Sequence, residues 1–184
     1  MITRKIKINR APVLTLWAVV VAERLGYAHG AALTLGKAVA GLNAQSKGRS
    51  LGIFKPGDKA AEKEKGRKKS AEYRVELLGR AVSVVQTEAG IRAAIKGKAT
   101  EPESVERYLK SKFGDALPEV RQAMQKLAAS RKPSELAVQA YSLYVEFRPE
   151  IPAGTKGWGA QGELDLEYIV SLSRKARADQ RKNG

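Results

Sequence analysis

The 184-residue chain lacks cysteine and contains a single histidine, and these two shortages exclude several classes of site. Without cysteine there is no disulfide framework, no thiol nucleophile and no Cys-based zinc or iron–sulfur centre. One imidazole, that of His29, cannot build a His-rich metal cage. Aromatic residues are also few, at 6%, but 43% of the residues are hydrophobic, which is an ordinary globular proportion. The composition therefore predicts a soluble folded protein without a metal ion or a cofactor.

Long apolar runs are also missing. The longest, residues 11–22, is shorter than the roughly 20 residues that a helix needs to cross a bilayer. A basic start followed by such a run is typical of a secretory signal as well. Glu23 and Arg24 follow at once, however, and the next small-residue position is a poor cleavage site. We therefore expect a buried helix in a cytoplasmic protein that does not contact a membrane.

Acidic residues are scarce relative to basic ones, since 34 Lys and Arg stand against 19 Asp and Glu, for a net charge of +15. The excess is uneven. Residues 1–10 carry +4 and residues 47–70 carry +6, whereas residues 101–150 balance eight charges against eight. Such clustering is typical of a surface that binds a polyanion. The alternative interpretation is a solvated arm and a charged loop that only keep the chain soluble.

Hydrophobic periodicity and turn residues predict a mainly α fold. Helices over residues 12–25 and 30–45 form an N-terminal pair, a small antiparallel β-meander lies at residues 73–97, and about four helices form a C-terminal bundle. The predicted organisation is a basic arm and helix pair at 1–46, a basic mobile loop at 47–72, and a part at 73–184 that forms one compact unit with 11–46.

The N-terminal helix pair matches a helix-turn-helix unit in part. Ala22, Gly26 and Leu35 fit the usual pattern, but Ala32 stands where a branched apolar residue is common. Any antiparallel helix pair would show much of the same spacing. The second helix also carries small residues such as Gly36, which would allow another backbone to approach closely.

Residues that start and end helices are easier to identify in the C-terminal half. Thr100 and Glu103 have the spacing of a capping box, and Gly114 would end the helix that they open. Asp115 is a candidate cap for the next helix, Pro133 is a candidate start of a third, and Asp165 is a candidate cap of the last. The last helix is expected to trail into a basic polar tail.

Binding to nucleic acid, with DNA favoured over RNA, is the leading functional prediction, as in a regulator or a nucleoid-type protein. Cations of the two basic segments would hold phosphates, namely Arg4, Lys5, Lys7, Arg10, Lys63, Lys65, Arg67, Lys68 and Lys69. Amide and cationic side chains at the end of the second helix would lie nearest the bases, namely Lys37, Asn43, Gln45, Lys47 and Arg49. A glycine-rich loop at residues 154–162 offers Lys156 and Trp158 as further contacts.

Two other functions stay open. The first is an interaction module that docks another protein, or a second copy of the chain, through Tyr141, Tyr144 and Phe147 of the C-terminal helices. The second is an enzyme that binds an anionic substrate at the loop of Lys156 and Trp158. The glycines of that loop have the form G-x-G-x-x-G but follow no strand, so a dinucleotide site is disfavoured. No catalytic triad or metal motif appears, which disfavours an enzyme without excluding a site of carboxylates alone.

The stretches RAPVLTLWAVVVAERLG and RPEIPAGTKGWGAQGELDL, at residues 10–26 and 148–166, resemble segments of uncharacterised bacterial proteins. The resemblance implies a bacterial cytoplasmic origin. It implies no activity, ligand or site.

Overall fold

The computed structural model describes residues 5–50, 73–95, 98–149 and 161–182, and the structural statements below concern these residues. The fold is mostly helical with a small antiparallel sheet, as the sequence predicts. The helices are α1 (Arg10–Arg24), α2 (His29–Ser50), α3 (Pro102–Phe113), α4 (Leu117–Ala129), α5 (Pro133–Phe147) and α6 (Leu166–Lys182). The strands are β1 (Lys5–Asn9), β2 (Tyr73–Leu77), β3 (Arg80–Thr87), β4 (Gly90–Ile95), β5 (Lys98–Ala99) and β6 (Gln161–Asp165). Within these ranges no helix is both long and apolar enough to span a membrane.

Helix α1 occupies the centre of the molecule. Every residue from Pro12 to Ala22 is buried, so the apolar run of the sequence has no solvent face over three turns. Helices α2, α3, α4 and α5 all contact it. The hydrophobic core extends from Ile8 to Leu172 and includes all of these helices. The helices predicted for the C-terminal half are present, but the four-helix bundle stays a prediction, because α3 packs mainly on α2 and α1, α5 packs on α1, and α4 packs on α6 and α1.

Strands β2, β3, β4 and β5 form one antiparallel sheet in sequence order, which is the predicted meander. The β2–β3 turn places Leu78 at φ 50° and Gly79 at φ 74°. Two consecutive positive φ values are the geometry of a type I′ hairpin turn, whose twist matches that of the flanking strands. A leucine in the left-handed region is strained, and burial of its side chain (3% exposed) offsets this cost.

The helix ends show which local signals determine the structure. Glu101, not Thr100, is the N-cap of α3 and makes no side-chain capping bond, so the predicted capping box is wrong. Asp115 lies in a 3₁₀ turn and does not cap α4. Asp165 does cap α6, since its Oδ1 accepts hydrogen bonds from the backbone N–H groups of Glu167 at 3.0 Å and Tyr168 at 3.3 Å. Where these caps are missing, proline in the first turn and packing on the core set the helix start.

Helices α1 and α5 run antiparallel and are joined by side chains of α1 at both ends and in the middle. The Arg10 Nε donates to the carbonyl oxygen of Pro149 at 2.8 Å. The buried Trp17 Nε1 donates to the carbonyl of Ala140 at 2.8 Å, and Arg24 Nη2 donates to that of Arg131 at 3.0 Å. The three donors are seven residues apart, so they lie on one side of α1. This side of α1 is therefore fixed in register against α5.

The ring of Trp17 also belongs to an aromatic cluster. It meets Phe147 edge to face with centroids 5.3 Å apart, and Phe147 meets Tyr144 in the same way at 6.0 Å. Burial raises the pKa of Tyr144 to about 12, although the nearby Arg148 and Arg10 lower it. The Tyr144 hydroxyl points to the carbonyl oxygen of Arg10 at 3.4 Å. The cluster thus joins the start of α1 to the end of α5.

Helices α1 and α2 approach so closely that glycine is required at position 36. A Cβ atom on Gly36 would lie 2.5 Å from Val19 Cγ2 and 2.6 Å from the carbonyl oxygen of Thr15. Such distances cannot be relieved by a rotamer change, because one of the two atoms belongs to the backbone of α1. The small surface predicted for this helix is thus confirmed at this crossing.

We expect Gly36→Ala to destabilise the protein by about 1–3 kcal/mol, because the added methyl group forces the two helices apart. Gly41→Ala is the matched control on the same helix, where a Cβ meets nothing within 4 Å. That control should gain up to about 1 kcal/mol from helix propensity. Urea denaturation of both variants measures the difference. Equal stability of the two would show that the close crossing is not a constraint.

Stability should fall as the pH rises from about 10 to about 12. Tyr144 ionises at its ordinary value near 10 in the unfolded chain but near 12 in the folded one, so below pH 10 both states keep the proton. Above pH 10 ionisation stabilises the unfolded state, so the free energy of unfolding falls by about 2–3 kcal/mol by pH 12. Tyr144→Phe should remove this component in urea denaturation at pH 8 and 11.5. Tyr168→Phe, at an exposed position, is the control and should change nothing.

Candidate nucleic-acid interface

The first half of helix α2 is anchored in the core. Thr34, fully buried, donates its hydroxyl proton to the carbonyl of Ala31 at 2.9 Å and accepts the backbone N–H of Ala93 in β4, also at 2.9 Å. This N–H is on the edge of β4 that β5 covers only in part. The hydroxyl of Thr34 therefore accepts the hydrogen bond that a neighbouring strand would otherwise accept from Ala93. Helix α2 thus packs between the edge of the sheet and α1.

The second half of α2 carries the residues predicted to lie nearest the bases. Lys37 is exposed, and Val39 is the last buried residue in the part of α2 whose side chains are described, residues 29–42. The helix continues to Ser50, so the segment 43–50 is helical backbone and not the loop that the sequence predicted from residue 47. Asn43, Gln45, Lys47 and Arg49 thus lie on the last two turns of α2. No Asp or Glu occurs between residues 29 and 50.

The predicted basic arm is in part a strand. Residues 5–9 form β1, which pairs antiparallel with β6 so that Lys5 stands opposite Asp165 and Lys7 opposite Glu163. Both lysines are exposed, and Lys5 Nζ lies 4.0 Å from Glu163 Oε2. An exposed pair of this kind adds little stability, but the carboxylates reduce the positive potential of the strand. Lys5 and Lys7 are therefore accessible, with acidic neighbours that the sequence did not reveal.

Arg10 has a structural contact in addition to any contact with a ligand. Its side chain is partly buried and its Nε is bonded to the carbonyl of Pro149, as described above. Arg4, Lys63, Lys65, Arg67, Lys68 and Lys69 lie outside the described residues, as do Lys156 and Trp158 of the glycine-rich loop. Of the predicted phosphate contacts, the structure thus places Lys5, Lys7 and Arg10, all at the start of the chain.

The structure also locates the residues predicted to dock another protein and the single histidine. Tyr144 and Phe147 are 1% and 3% exposed and form part of the aromatic cluster, so neither can dock a partner, and that part of the prediction is wrong. His29 Nδ1 lies 3.4 Å from Glu23 Oε1 across the turn between α1 and α2. Within the described ranges, no group of three or more His, Asp or Glu side chains could hold a metal ion.

One basic element was misassigned from the sequence. Arg174 and Lys175 are exposed on α6, which continues as a helix to Lys182, where the sequence predicted that the helix gives way to a basic polar tail. The signal that could have indicated this is the absence of glycine and proline from residue 166 to residue 182.

No protein-family model, curated protein or solved structure matches this chain. The functional interpretation therefore depends on the chemistry of its own residues.

The contact of Arg10 with Pro149 can be tested against its predicted role at phosphates. We expect Arg10→Ala to lower the free energy of unfolding by about 1–2 kcal/mol, because the bond is charge-assisted and partly buried. Lys7→Ala removes the same charge from an exposed position and should stay within about 0.5 kcal/mol of the wild type. Chemical denaturation at neutral pH measures both. Equal effects would show that the Arg10 bond contributes nothing to the fold.

Proposed function

We propose that the protein binds nucleic acid, duplex DNA above all, through its basic N-terminal third. The observation that carries this proposal is the continuous helix α2, whose anchored first half extends into two further turns with amide and cationic residues and no acid. An α-helix fits the major groove, and Asn, Gln, Arg and Lys are the side chains that form paired hydrogen bonds with base edges there. In this proposal the protein acts in the cytoplasm as a regulator or a nucleoid-type protein.

The proposed contacts differ from those of an ordinary helix-turn-helix unit. In that unit the N-terminal residues of the second helix reach the bases. Here residues 31–36 at the start of α2 are buried against α1 and β4, so base contacts fall to Lys37, Asn43, Gln45, Lys47 and Arg49. The phosphate contacts of the proposal come from the two basic segments of the sequence, namely Arg4, Lys5, Lys7 and Arg10 in the first and Lys63, Lys65, Arg67, Lys68 and Lys69 in the second.

Affinity for DNA should fall steeply with salt, because each neutralised phosphate releases a condensed counterion. A variant in which four basic residues are replaced by alanine should bind all sequences more weakly and flatten the slope of log K against log salt by up to about 4. The four are Lys65, Arg67, Lys68 and Lys69. Fluorescence anisotropy of a labelled mixed-sequence duplex with the full chain, repeated over a series of KCl concentrations, measures both quantities.

The control variant loses the same four charges from exposed positions in the balanced C-terminal half, namely Lys110, Lys112, Lys126 and Lys132. It should keep the wild-type slope if the location of the charge matters. Equal slopes for the two variants would show that the salt dependence follows the net charge and not the location of the basic residues. Salt-independent binding, or no binding at low salt, would contradict the proposal.

A further inference from the structure

Arg148 is a cation at the end of α5 that is not among the phosphate contacts predicted from the sequence. Its backbone N–H donates to the carbonyl oxygen of Tyr144 at 2.8 Å, which fixes the residue at the end of the helix. Its guanidinium Cζ lies 6.0 Å from the centre of the Tyr144 ring, at the distance of a cation–π contact. No side-chain hydrogen bond or ion pair joins this guanidinium to another described residue. Arg148 is therefore held in place while its N–H donors stay available.

Arg10 lies beside the same tyrosine. The hydroxyl of Tyr144 points to the carbonyl oxygen of Arg10 at 3.4 Å, and Arg10 Nε donates to the carbonyl of Pro149, next to Arg148. Burial raises the pKa of Tyr144, while Arg148 and Arg10 both lower it, because the two positive charges are close to this hydroxyl. Glu146 is exposed two residues before Arg148, but it lies about 200° around α5 from Tyr144. We call Arg10 and Arg148 the arginine pair.

The arginine pair lies at the same end of the helical core as the last two turns of α2. Helix α5 runs antiparallel to α1, so it ends where α1 begins. Helix α2 also runs back along α1, which it crosses where Gly36 meets Thr15 and Val19. Arg10 is about seven residues before the middle of this crossing on α1, and Asn43 is seven residues after it on α2. The part of α2 that carries most of the proposed base contacts therefore extends beyond the start of α1.

This position suits a contact with the backbone of a duplex whose major groove holds α2. The axes of two packed helices are about 8–10 Å apart, so α1 stands about that far to one side of α2 where they cross. The major groove is about 12 Å wide, and a helix within it therefore has a phosphate backbone on each side at a comparable distance. In a helix-turn-helix unit the first helix crosses that backbone in this way. The arginine pair at the start of α1 thus occupies the place of a phosphate contact.

We propose that Arg148 binds a backbone phosphate of the nucleic acid, with the positive charge of Arg10 beside it. The inference rests on the proposed function and adds one contact to it. A guanidinium group carries paired N–H donors that match two phosphate oxygens, and a second positive charge nearby strengthens the attraction. The buried ring of Tyr144 holds Arg148 before the ligand arrives, which lowers the entropy cost of binding.

The test measures binding of the full chain to a labelled mixed-sequence DNA duplex by fluorescence anisotropy over a series of KCl concentrations. We expect Arg148→Ala to weaken binding about 3–10-fold near about 0.1 M KCl and to flatten the slope of log K against log salt by about 1, because one phosphate contact is lost. Lys132→Ala removes the same charge at the other end of α5, where the exposed side chain makes no capping bond. That control should keep the affinity and the slope of the wild type.

A second variant separates the charge of Arg148 from its effect on the local fold. Arg148→Lys keeps the positive charge but not the paired donors, so it should keep the wild-type slope and lose no more than about threefold in affinity. Urea denaturation at neutral pH shows whether each variant is folded under the conditions of the binding assay.

The inference is overturned if the wild type binds with a steep salt dependence and Arg148→Ala behaves like Lys132→Ala. Nucleic-acid binding would then stand without a phosphate contact at Arg148. It is also overturned if Arg148→Lys loses as much slope as Arg148→Ala, since the contact would then not depend on the charge. A wild type that does not bind the duplex, or binds it independently of salt, overturns the proposed function itself and this inference with it.

Discussion

Helix α1 has no solvent face from Pro12 to Ala22, and the arrangement of the other helices follows from this constraint. A helix that is apolar all round must be covered on every side, so α2, α3, α4 and α5 each take a position against it. Two of these contacts are specific. Gly36 allows α2 to approach to backbone distance, and three side-chain donors of α1 fix its register on α5. The remainder of the core is packing around these two contacts.

This constraint also explains how helices of different charge can occur in the same small protein. Because α1 takes up the hydrophobic surface of its neighbours, the outward sides of those neighbours are free to differ in charge. Helix α2 contains no Asp or Glu, while α5 carries Glu135 and Glu146 at exposed positions. One shared core thus supports neighbouring helices that differ in charge.

The sequence predicted what depends on local patterns. The apolar run predicted α1, Pro133 predicted the start of α5, and turn residues at hairpin spacing within 73–97 predicted the meander. It could not predict the pairing of Lys5 with Asp165, which joins segments at opposite ends of the chain, or the bond from Trp17 to Ala140. Of the candidate site, Lys37, Asn43 and Gln45 could be placed on α2 from the sequence, whereas Lys47 and Arg49 were predicted to lie in a loop. The hydrogen bond from Arg10 to the carbonyl of Pro149 could not be predicted, because the sequence around a charged side chain does not indicate its distant partner.

The pairing of β1 with β6 has a consequence for how the protein emerges from the ribosome. Strand β1 is made before the other described elements, yet its only partner among the described strands is completed at Asp165. At about 5–20 residues per second, roughly eight to thirty seconds separate the two events. During this time α1 can pack against α2, which follows it directly, but α4 and α5 are made later. The apolar surface of α1 is therefore incompletely covered while synthesis continues. Slow synthesis would thus prolong the time during which the apolar surface of α1 is exposed to aggregation.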